Sequence, residues 1–150
     1  MAGSERKILI AVDGSEQAMR AFDWYYENIY KPGDYCMALY VTQLTLRRGS
    51  GILTDPDAIV KDLKQTKQAG DTIMSSFAEK IREKGIKGNA DTVACGDSSP
   101  GEKIVKTAEF NKANIIVMGT RGLGKIRRTI LGSVSSYVLH HAHCPVIIIK

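Results

Sequence analysis

Apolar residues in this chain occur in short, nearly continuous runs that alternate with longer segments of helical periodicity. The runs lie at residues 7–12, 36–41, 90–94, 115–118 and 145–149, and the third is the weakest. A short apolar run bounded by turn residues is typical of a strand that is buried on both faces. The pattern therefore predicts five buried strands.

Helix-start and helix-stop residues separate these runs. Ser15 is a candidate N-cap, and Asp55 followed by Pro56 predicts a cap with proline at the first helical position. Residues 99–102, Ser-Pro-Gly-Glu, have the form of a capping box. Ser133 is a candidate N-cap for a fourth helix, and Gly85 is expected to end the long second one.

The predicted helices carry apolar stripes that we interpret as core. The stripe of the second helix consists of Ile59, Leu63, Ile73, Met74, Phe77 and Ile81. The stripe of the third helix consists of Ile104, Val105, Ala108 and Phe110.

Strands that alternate with amphipathic helices predict a parallel sheet covered on both faces. We expect one α/β domain over residues 1–150, a three-layer sandwich with a five-stranded parallel sheet and four helices. Ligands of such sheets bind beyond the carboxyl ends of the strands. Asp13, Val41 and Gly119 follow or end predicted strands, so we expect them to converge on one crevice.

Composition and cysteine content indicate an ordinary globular chain. Hydrophobic residues make up 43% and charged residues 25%, and no apolar run approaches the ~18 residues of a membrane span. The first residues lack the apolar region of a signal peptide. Three widely spaced cysteines predict reduced thiols rather than a disulfide framework or zinc site. We expect a cytoplasmic protein that does not bind to membranes.

The net charge of +5 suits an anionic ligand, although the excess is too mild to predict specific nucleic-acid binding. The densest basic patch is Arg121, Lys125, Arg127 and Arg128. These side chains could form a solvated loop face. We expect one of them, not specified by the sequence, to reach a phosphate.

The same region contains a glycine run, in which Gly119-Thr-Arg-Gly122 is followed after nine residues by Gly132-Ser133. Glycine lets backbone N–H groups approach an anion, and a helix start adds further donors and a favourable dipole. The run is not a P-loop, because Ile126 stands where Ser or Thr would bind magnesium. It is not a Rossmann turn either, because Arg127 stands at the position of the third glycine.

The whole chain resembles the universal stress protein family, and its glycine run resembles that of the ATP-binding branch. The resemblance rests on the opening Ile-Leu-Ile-Ala-Val-Asp-Gly-Ser, Leu39-Tyr-Val41, Val117-Met-Gly-Thr-Arg-Gly122, Leu131-Gly-Ser-Val-Ser135 and His143-Cys-Pro-Val-Ile-Ile-Ile149. It implies a five-stranded α/β fold, Rossmann-like and similar to the adenine nucleotide alpha hydrolase fold. It also implies that this fold binds ATP, with ADP or AMP as alternatives and Mg²⁺ carried by the phosphates.

The resemblance also implies roles for individual residues. Asp13 would bind the ribose hydroxyls, although it could instead only cap the turn, and Val41 would contact adenine through its backbone. Met118 and Gly119 would line the base and ribose. The phosphates would lie at Gly122, Gly132, Ser133 and Val134. The full predicted site is Ala11, Val12, Asp13, Val41, Met118, Gly119, Gly122, Gly124, Lys125, Arg127, Gly132, Ser133 and Val134.

Catalytic patterns are sparse, so we predict no catalytic residue and at most weak ATP hydrolysis. His140, His141 and His143 could suggest a metal, but two of them end a predicted helix, where histidine suits the dipole. The favoured function is a nucleotide-dependent stress-response switch in which ATP orders the 120–131 loop, expected to be mobile. A slow ATPase or phosphotransferase and a dimeric interaction protein without nucleotide remain alternatives. The resemblance implies a homodimer formed through the edge strand Val146 to Ile149.

Overall fold

The computed structural model describes residues 5–13, 15–42, 55–120 and 132–150. Within these ranges the predicted alternation of strands and helices is confirmed. The elements are β1 (Lys7–Val12), α1 (Glu16–Asn28), β2 (Tyr35–Thr42), α2 (Pro56–Glu83), β3 (Lys87–Ala94), α3 (Pro100–Phe110), β4 (Ile115–Gly119), α4 (Ser133–His141) and β5 (Val146–Ile149). The predictions for Gly122, Gly124, Lys125, Arg127 and the 120–131 loop concern residues outside these ranges, except for Thr120.

The strands form one parallel sheet in the order β3-β2-β1-β4-β5. Helices α1 and α2 pack on one face with Ile8, Ile10 and Val117, while α3 and α4 cover the other with Leu9 and Ile116. Alternate residues of each central strand thus enter different cores, which explains why these strands are apolar almost without interruption. The predicted three-layer α/β fold is confirmed.

Helix caps confirm most of the predicted boundaries. The side chains of Ser15, Asp55 and Ser99 accept hydrogen bonds from the backbone N–H groups of Ala18, Asp57 and Glu102 at 3.3, 3.0 and 3.2 Å. The prediction that Ser133 is an N-cap is wrong, because Gly132 is the N-cap of α4 and supplies no side-chain hydrogen bond.

Helix α2 ends in a Schellman motif at the glycine predicted to stop it. Gly85 has a φ of +68°, and its N–H donates to Arg82 O at 3.0 Å. Ile86 N donates to Ile81 O at 3.1 Å, and both isoleucine side chains are buried. Residues with a side chain rarely adopt a positive φ, so glycine is the suitable residue here.

Two sequence predictions need correction. Strand β3 begins at Lys87 rather than residue 90, because its polar first residues pair with Tyr35–Met37 at the sheet edge. Leu63 and Phe110 were assigned to buried stripes, but their exposed fractions are 43% and 87%. The buried residues of α2 begin at Gly70, so only its second half packs fully on the sheet.

A buried polar cluster, the Asp34 cluster, closes the amino-terminal edge of the sheet. It consists of Arg6, Tyr25 and Asp34. Asp34 is 2% exposed and accepts from Arg6 Nε at 2.8 Å, Arg6 Nη2 at 2.6 Å and the Tyr25 hydroxyl at 2.7 Å. Lys31 N also donates to this carboxylate, at 3.1 Å. The cluster therefore joins the starts of β1 and β2 to the end of α1.

The hydrogen bonds of the Asp34 cluster lower the pKa of the Asp34 carboxyl and raise the pKa of the Tyr25 hydroxyl. Burial by itself raises the pKa of the Asp34 carboxyl, but the hydrogen bonds from Arg6, Tyr25 and Lys31 outweigh it and hold that pKa below its usual range. Burial and the bond to Asp34 raise the pKa of the Tyr25 hydroxyl. The ionised carboxylate and the neutral phenol are thus the stable forms of this pair.

None of the helices in the described part of the chain combines the length and apolarity needed to cross a membrane.

Candidate functional site

A cavity of about 250 Å³ opens at the carboxyl edge of the sheet. It lies where β1 and β4 are neighbours although they are distant in sequence. After β1 the chain enters α1 on one face, and after β4 it reaches α4 on the other. The two connections therefore diverge and leave a crevice, as expected at a topological switch point.

Seven of the predicted site residues line this cavity. They are Ala11, Val12, Asp13, Val41, Met118, Gly119 and Val134. Gly132 and Ser133 do not line it directly; they form the start of α4 immediately before Val134. The prediction that three strand ends converge is therefore confirmed in its geometry.

The sequence-based prediction missed the remaining residues of the wall, which are Ala18, Tyr40, Pro100, Ile104 and Ser135. Pro100 was recognised only as part of a helix start, because the sequence does not show that α3 begins beside Val41. Ser135 lies two residues after the predicted Ser133, and it is Ser135 that is buried, with 2% exposure. The helical spacing from Gly132 could have indicated it.

Asp13 is exposed at the mouth of the crevice, directly after β1. Its Oδ1 accepts from Ser15 N at 3.0 Å and from the Ser15 hydroxyl. Ser15 in turn caps α1. The carboxylate thus has the turn-capping role and also lies at the crevice.

The backbone of Val41 is turned toward the crevice. In a parallel ladder, successive residues direct their N–H and C=O groups to opposite neighbours. Thr42 O accepts from Cys95 N at 3.0 Å on the β3 side, whereas Tyr35 N donates to Arg6 O at 2.8 Å on the β1 side. Val41 shares the parity of Tyr35, so its polar groups face β1, the strand that ends at Val12.

The first turn of α4 offers hydrogen-bond donors at the other end of the cavity. The first helical bond runs from Ser136 N to Gly132 O at 2.8 Å, so the preceding three N–H groups have no partner within the helix. Of the helices in the described ranges, α4 alone lacks a side-chain cap. The helix dipole makes this turn favourable for an anion.

The wall between these two ends is mainly apolar. Pro100 and Ile104 from α3 contribute to it, together with Met118 from β4 and with Ala11 and Val41. Apolar walls with polar groups at the ends suit a flat heterocycle that carries a charged group.

Two of the histidines near the C-terminus, His141 and His143, have structural partners. His143 Nε2 lies 2.5 Å from Glu109 Oε1, and His141 stacks on Tyr137 with ring centroids 3.9 Å apart. Within the described residues no group of three or more His, Cys, Asp or Glu side chains could hold a metal ion.

The three cysteines are free thiols. Burial raises the pKa of Cys36 to about 12 and also raises the pKa of Cys144. Both are therefore poor nucleophiles.

The fold and the crevice define a doubly wound α/β domain with a cavity at its switch point. The model of the universal stress protein family matches residues 5–150. The chain belongs to this family.

Relatives and solved structures support this assignment over nearly the full chain. The Universal stress protein MJ0531 of Methanocaldococcus jannaschii is 34% identical over 146 residues, which cover 97% of this chain and 82% of that protein. The structure of hypothetical protein MJ0577 has a TM-score of 0.78 at 26% identity and covers 99% of this chain and 97% of that chain.

A third comparison concerns a structure with a ligand. A universal stress protein family protein from Arabidopsis thaliana with AMP bound has a TM-score of 0.72 at 25% identity, covering 97% of this chain and 91% of that chain. Some relatives are longer: this chain spans 63% of the length of the Universal stress protein PHOS34 from Arabidopsis thaliana.

Proposed function

We propose that this protein binds an adenine nucleotide in the crevice between β1 and β4, and that ATP is the ligand, with ADP or AMP as alternatives. The observation that carries the proposal is the geometry of the cavity. Asp13 lies at its mouth, and the first turn of α4, which lacks a side-chain cap, lies at its far end. The AMP-bound relative of the same fold gives independent support.

The nucleoside would occupy the apolar part of the crevice. The register that pairs Val12 with Tyr40 directs the Val41 N–H to Val12 O, so it is the Val41 carbonyl that would accept a hydrogen bond from the adenine amino group. Ala11, Val12, Met118 and Gly119 would form the walls around base and ribose. The Asp13 carboxylate would accept from the ribose hydroxyls.

The phosphates would lie at the start of α4, where the N–H groups of Ser133 and Val134 lack helical partners. We infer from the sequence that Gly122, Gly124, Lys125 and Arg127 complete this end. Among the described residues, Asp13 is the only carboxylate that lines the cavity. Mg²⁺ would therefore be held by phosphate oxygens and water rather than by a protein cage.

Mass spectrometry of the denatured, purified protein tests the proposal directly, because a tightly held nucleotide co-purifies. Calorimetric titration with ATP, ADP and AMP then ranks the ligands. Gly132→Val is a suitable variant, because Gly132 has a φ of −60° that any residue adopts. We expect it to abolish ATP binding while the chain stays folded. Leu139→Ala, at an exposed position of α4, serves as a control and should bind normally.

We propose that nucleotide occupancy acts as a switch in a stress response in the cytoplasm. The phosphates would attract at least one of Arg121, Lys125, Arg127 and Arg128, order residues 120–131 and alter the surface offered to a partner. Limited proteolysis with and without ATP tests this step. Equal cleavage of the segment in both conditions would contradict it.

We also propose a homodimer through β5. This strand lies at a sheet edge, and its four residues are only half-buried. Pro145 O accepts from Ile116 N in β4, and Ile149 O accepts from Thr120 N directly after β4, so the backbone groups of Val146 and Ile148 face outward. Ile148→Pro would block an added strand without removing a bond to β4. Sedimentation should show a dimer for the wild type and a 16.4 kDa species for this variant.

A further inference from the structure

We infer that Gly119 is a positioning residue that acts on Asp13 through the first turn of α1, rather than a glycine that makes room for phosphate. This inference rests on the proposed nucleotide site. It starts from what a side chain at position 119 would meet. A Cβ there would lie 2.6 Å from the carbonyl oxygen of Gln17 and 2.7 Å from its carbonyl carbon.

A side chain at position 119 would not point toward the proposed phosphate site. Room for phosphate is therefore not the reason why this residue is glycine. Successive strand residues point to opposite faces. Val117 packs in the core under α1 and α2, while Met118 packs in the core under α3 and α4. Position 119 therefore shares the α1 face with Val117, whereas the donors proposed to hold phosphate belong to α4 on the other face.

The contact partner cannot move aside cheaply, because it is backbone. Gln17 lies in the first turn of α1, and its carbonyl is fixed by the helix. Nonbonded heavy atoms ordinarily stay about 3.5 Å apart. A methyl group at position 119 would therefore push the start of α1 away from β4 by up to about 1 Å.

Short contacts connect this turn to Asp13. Ser15 caps α1 through its bond from Ala18 N at 3.3 Å. Asp13 Oδ1 accepts from Ser15 N at 3.0 Å and from the Ser15 hydroxyl. A displaced first turn carries Ser15 with it, and the carboxylate then loses its alignment with the ribose hydroxyls.

A double-mutant cycle with two ligands tests the inference. Calorimetry would measure the affinity of AMP and of 2′,3′-dideoxy-AMP for the wild type, Gly119→Ala, Asp13→Asn and the double variant. We expect Gly119→Ala to weaken AMP binding about tenfold, the equivalent of one charged hydrogen bond. It should weaken dideoxy-AMP less than about threefold, and it should add less than about twofold in the Asp13→Asn background, because coupled residues are not additive.

Two further variants separate positioning from loss of stability. Gly88→Ala is the matched control, because a Cβ there would also meet a backbone carbonyl, that of Cys36, in the region where β2 and β3 begin. It should lower the melting temperature without changing the ratio of AMP to dideoxy-AMP affinity. Ser15→Ala breaks the same connection without a clash, and it should lower this ratio even if Gly119→Ala does not fold.

The outcomes distinguish this inference from the proposed function. If Gly119→Ala weakened both ligands equally, or its effect added in full to that of Asp13→Asn, the positioning role would be wrong while the nucleotide site stood. An unchanged affinity ratio in Ser15→Ala would overturn it as well. If the wild type bound neither ligand, the proposed function itself would fall, and this inference with it.

Discussion

The carboxylates of Asp34 and Asp13, at the amino-terminal and the carboxyl edge of the sheet, have opposite environments. At the amino-terminal edge, Asp34 is 2% exposed and receives hydrogen bonds from Arg6, Tyr25 and Lys31. At the carboxyl edge, Asp13 is exposed beside a cavity and beside a helix start that lacks a side-chain cap. Among the described residues, the protein itself saturates Asp34 at the first edge, whereas at the second the first N–H groups of α4 have no partner within the helix. Stability should therefore depend on the first edge and ligand binding on the second.

The largest effect should come from breaking the Asp34 cluster. Asp34→Ala leaves the Arg6 guanidinium and the Tyr25 hydroxyl without their acceptor, and we expect a loss of about 3–5 kcal/mol in the free energy of unfolding. Urea denaturation measures it. The control is Asp23→Ala, which removes the more exposed pair with Lys80. It should cost about 1 kcal/mol or less, and equal losses in the two variants would contradict the contrast.

At the carboxyl edge we expect a small effect on stability and a large effect on ligand affinity. Asp13→Ala removes the two hydrogen bonds that Ser15 donates to the carboxylate in an exposed turn, where water replaces them, so the unfolding free energy should fall by about 1 kcal/mol or less. AMP affinity should fall about tenfold or more, because a charged acceptor for the ribose is lost. Urea denaturation and calorimetry on the same preparation test both halves. A large loss of stability with normal binding would make Asp13 a structural residue only.

The pH dependence of stability should also distinguish the edges. The folded pKa of Asp34 lies below its usual value, so the unfolded state binds the proton more readily. The stabilisation by Asp34 is therefore present above the unfolded pKa of about 3.9 and is lost as the pH falls through the folded pKa. Unfolding free energies measured between pH 6 and about pH 3 should fall more steeply for the wild type than for Asp34→Asn. Parallel curves would show that the cluster is not the titrating element.

The smallest effect on stability is expected from giving α4 the cap that it lacks. Gly132→Asp places an acceptor and a negative charge at the helix start, which should raise the unfolding free energy by a few tenths of a kcal/mol up to about 1 kcal/mol. The same carboxylate competes with phosphate, so AMP affinity should fall. Thermal melts and calorimetry compare it with Ser99→Ala at the capped start of α3, which should only lose stability. Unchanged AMP affinity in Gly132→Asp would argue against phosphate at this turn.

Local chemistry explains which predictions were confirmed. Ser15, Asp55 and Ser99 cap helices because their side chains bond to N–H groups two or three residues away. The prediction that Ser133 caps α4 was wrong, because Gly132 occupies the N-cap position. The exposure of Leu63 and Phe110 was not predictable, since a helical stripe shows periodicity but not where the sheet beneath it ends.

The residues of the candidate site also divide into those that the sequence predicted and those that it did not. Asp13, Val41 and Gly119 were predicted because parallel strands bring their carboxyl ends to one edge. Pro100 and Ile104 were missed because only the order β3-β2-β1-β4-β5 brings α3 over that edge. The role of Asp34 was not predicted, because its partner Arg6 lies 28 positions away.

The sequence by itself determined the alternation of strands and helices, the helix starts and the family, because periodicity, capping and motif residues act over short distances. Only the tertiary structure decided that Asp34 is saturated, that Ser135 is buried and that the missing side chain of Gly119 faces Gln17. These facts depend on strand order and on which face a side chain takes. Both are fixed by packing between segments far apart in the chain.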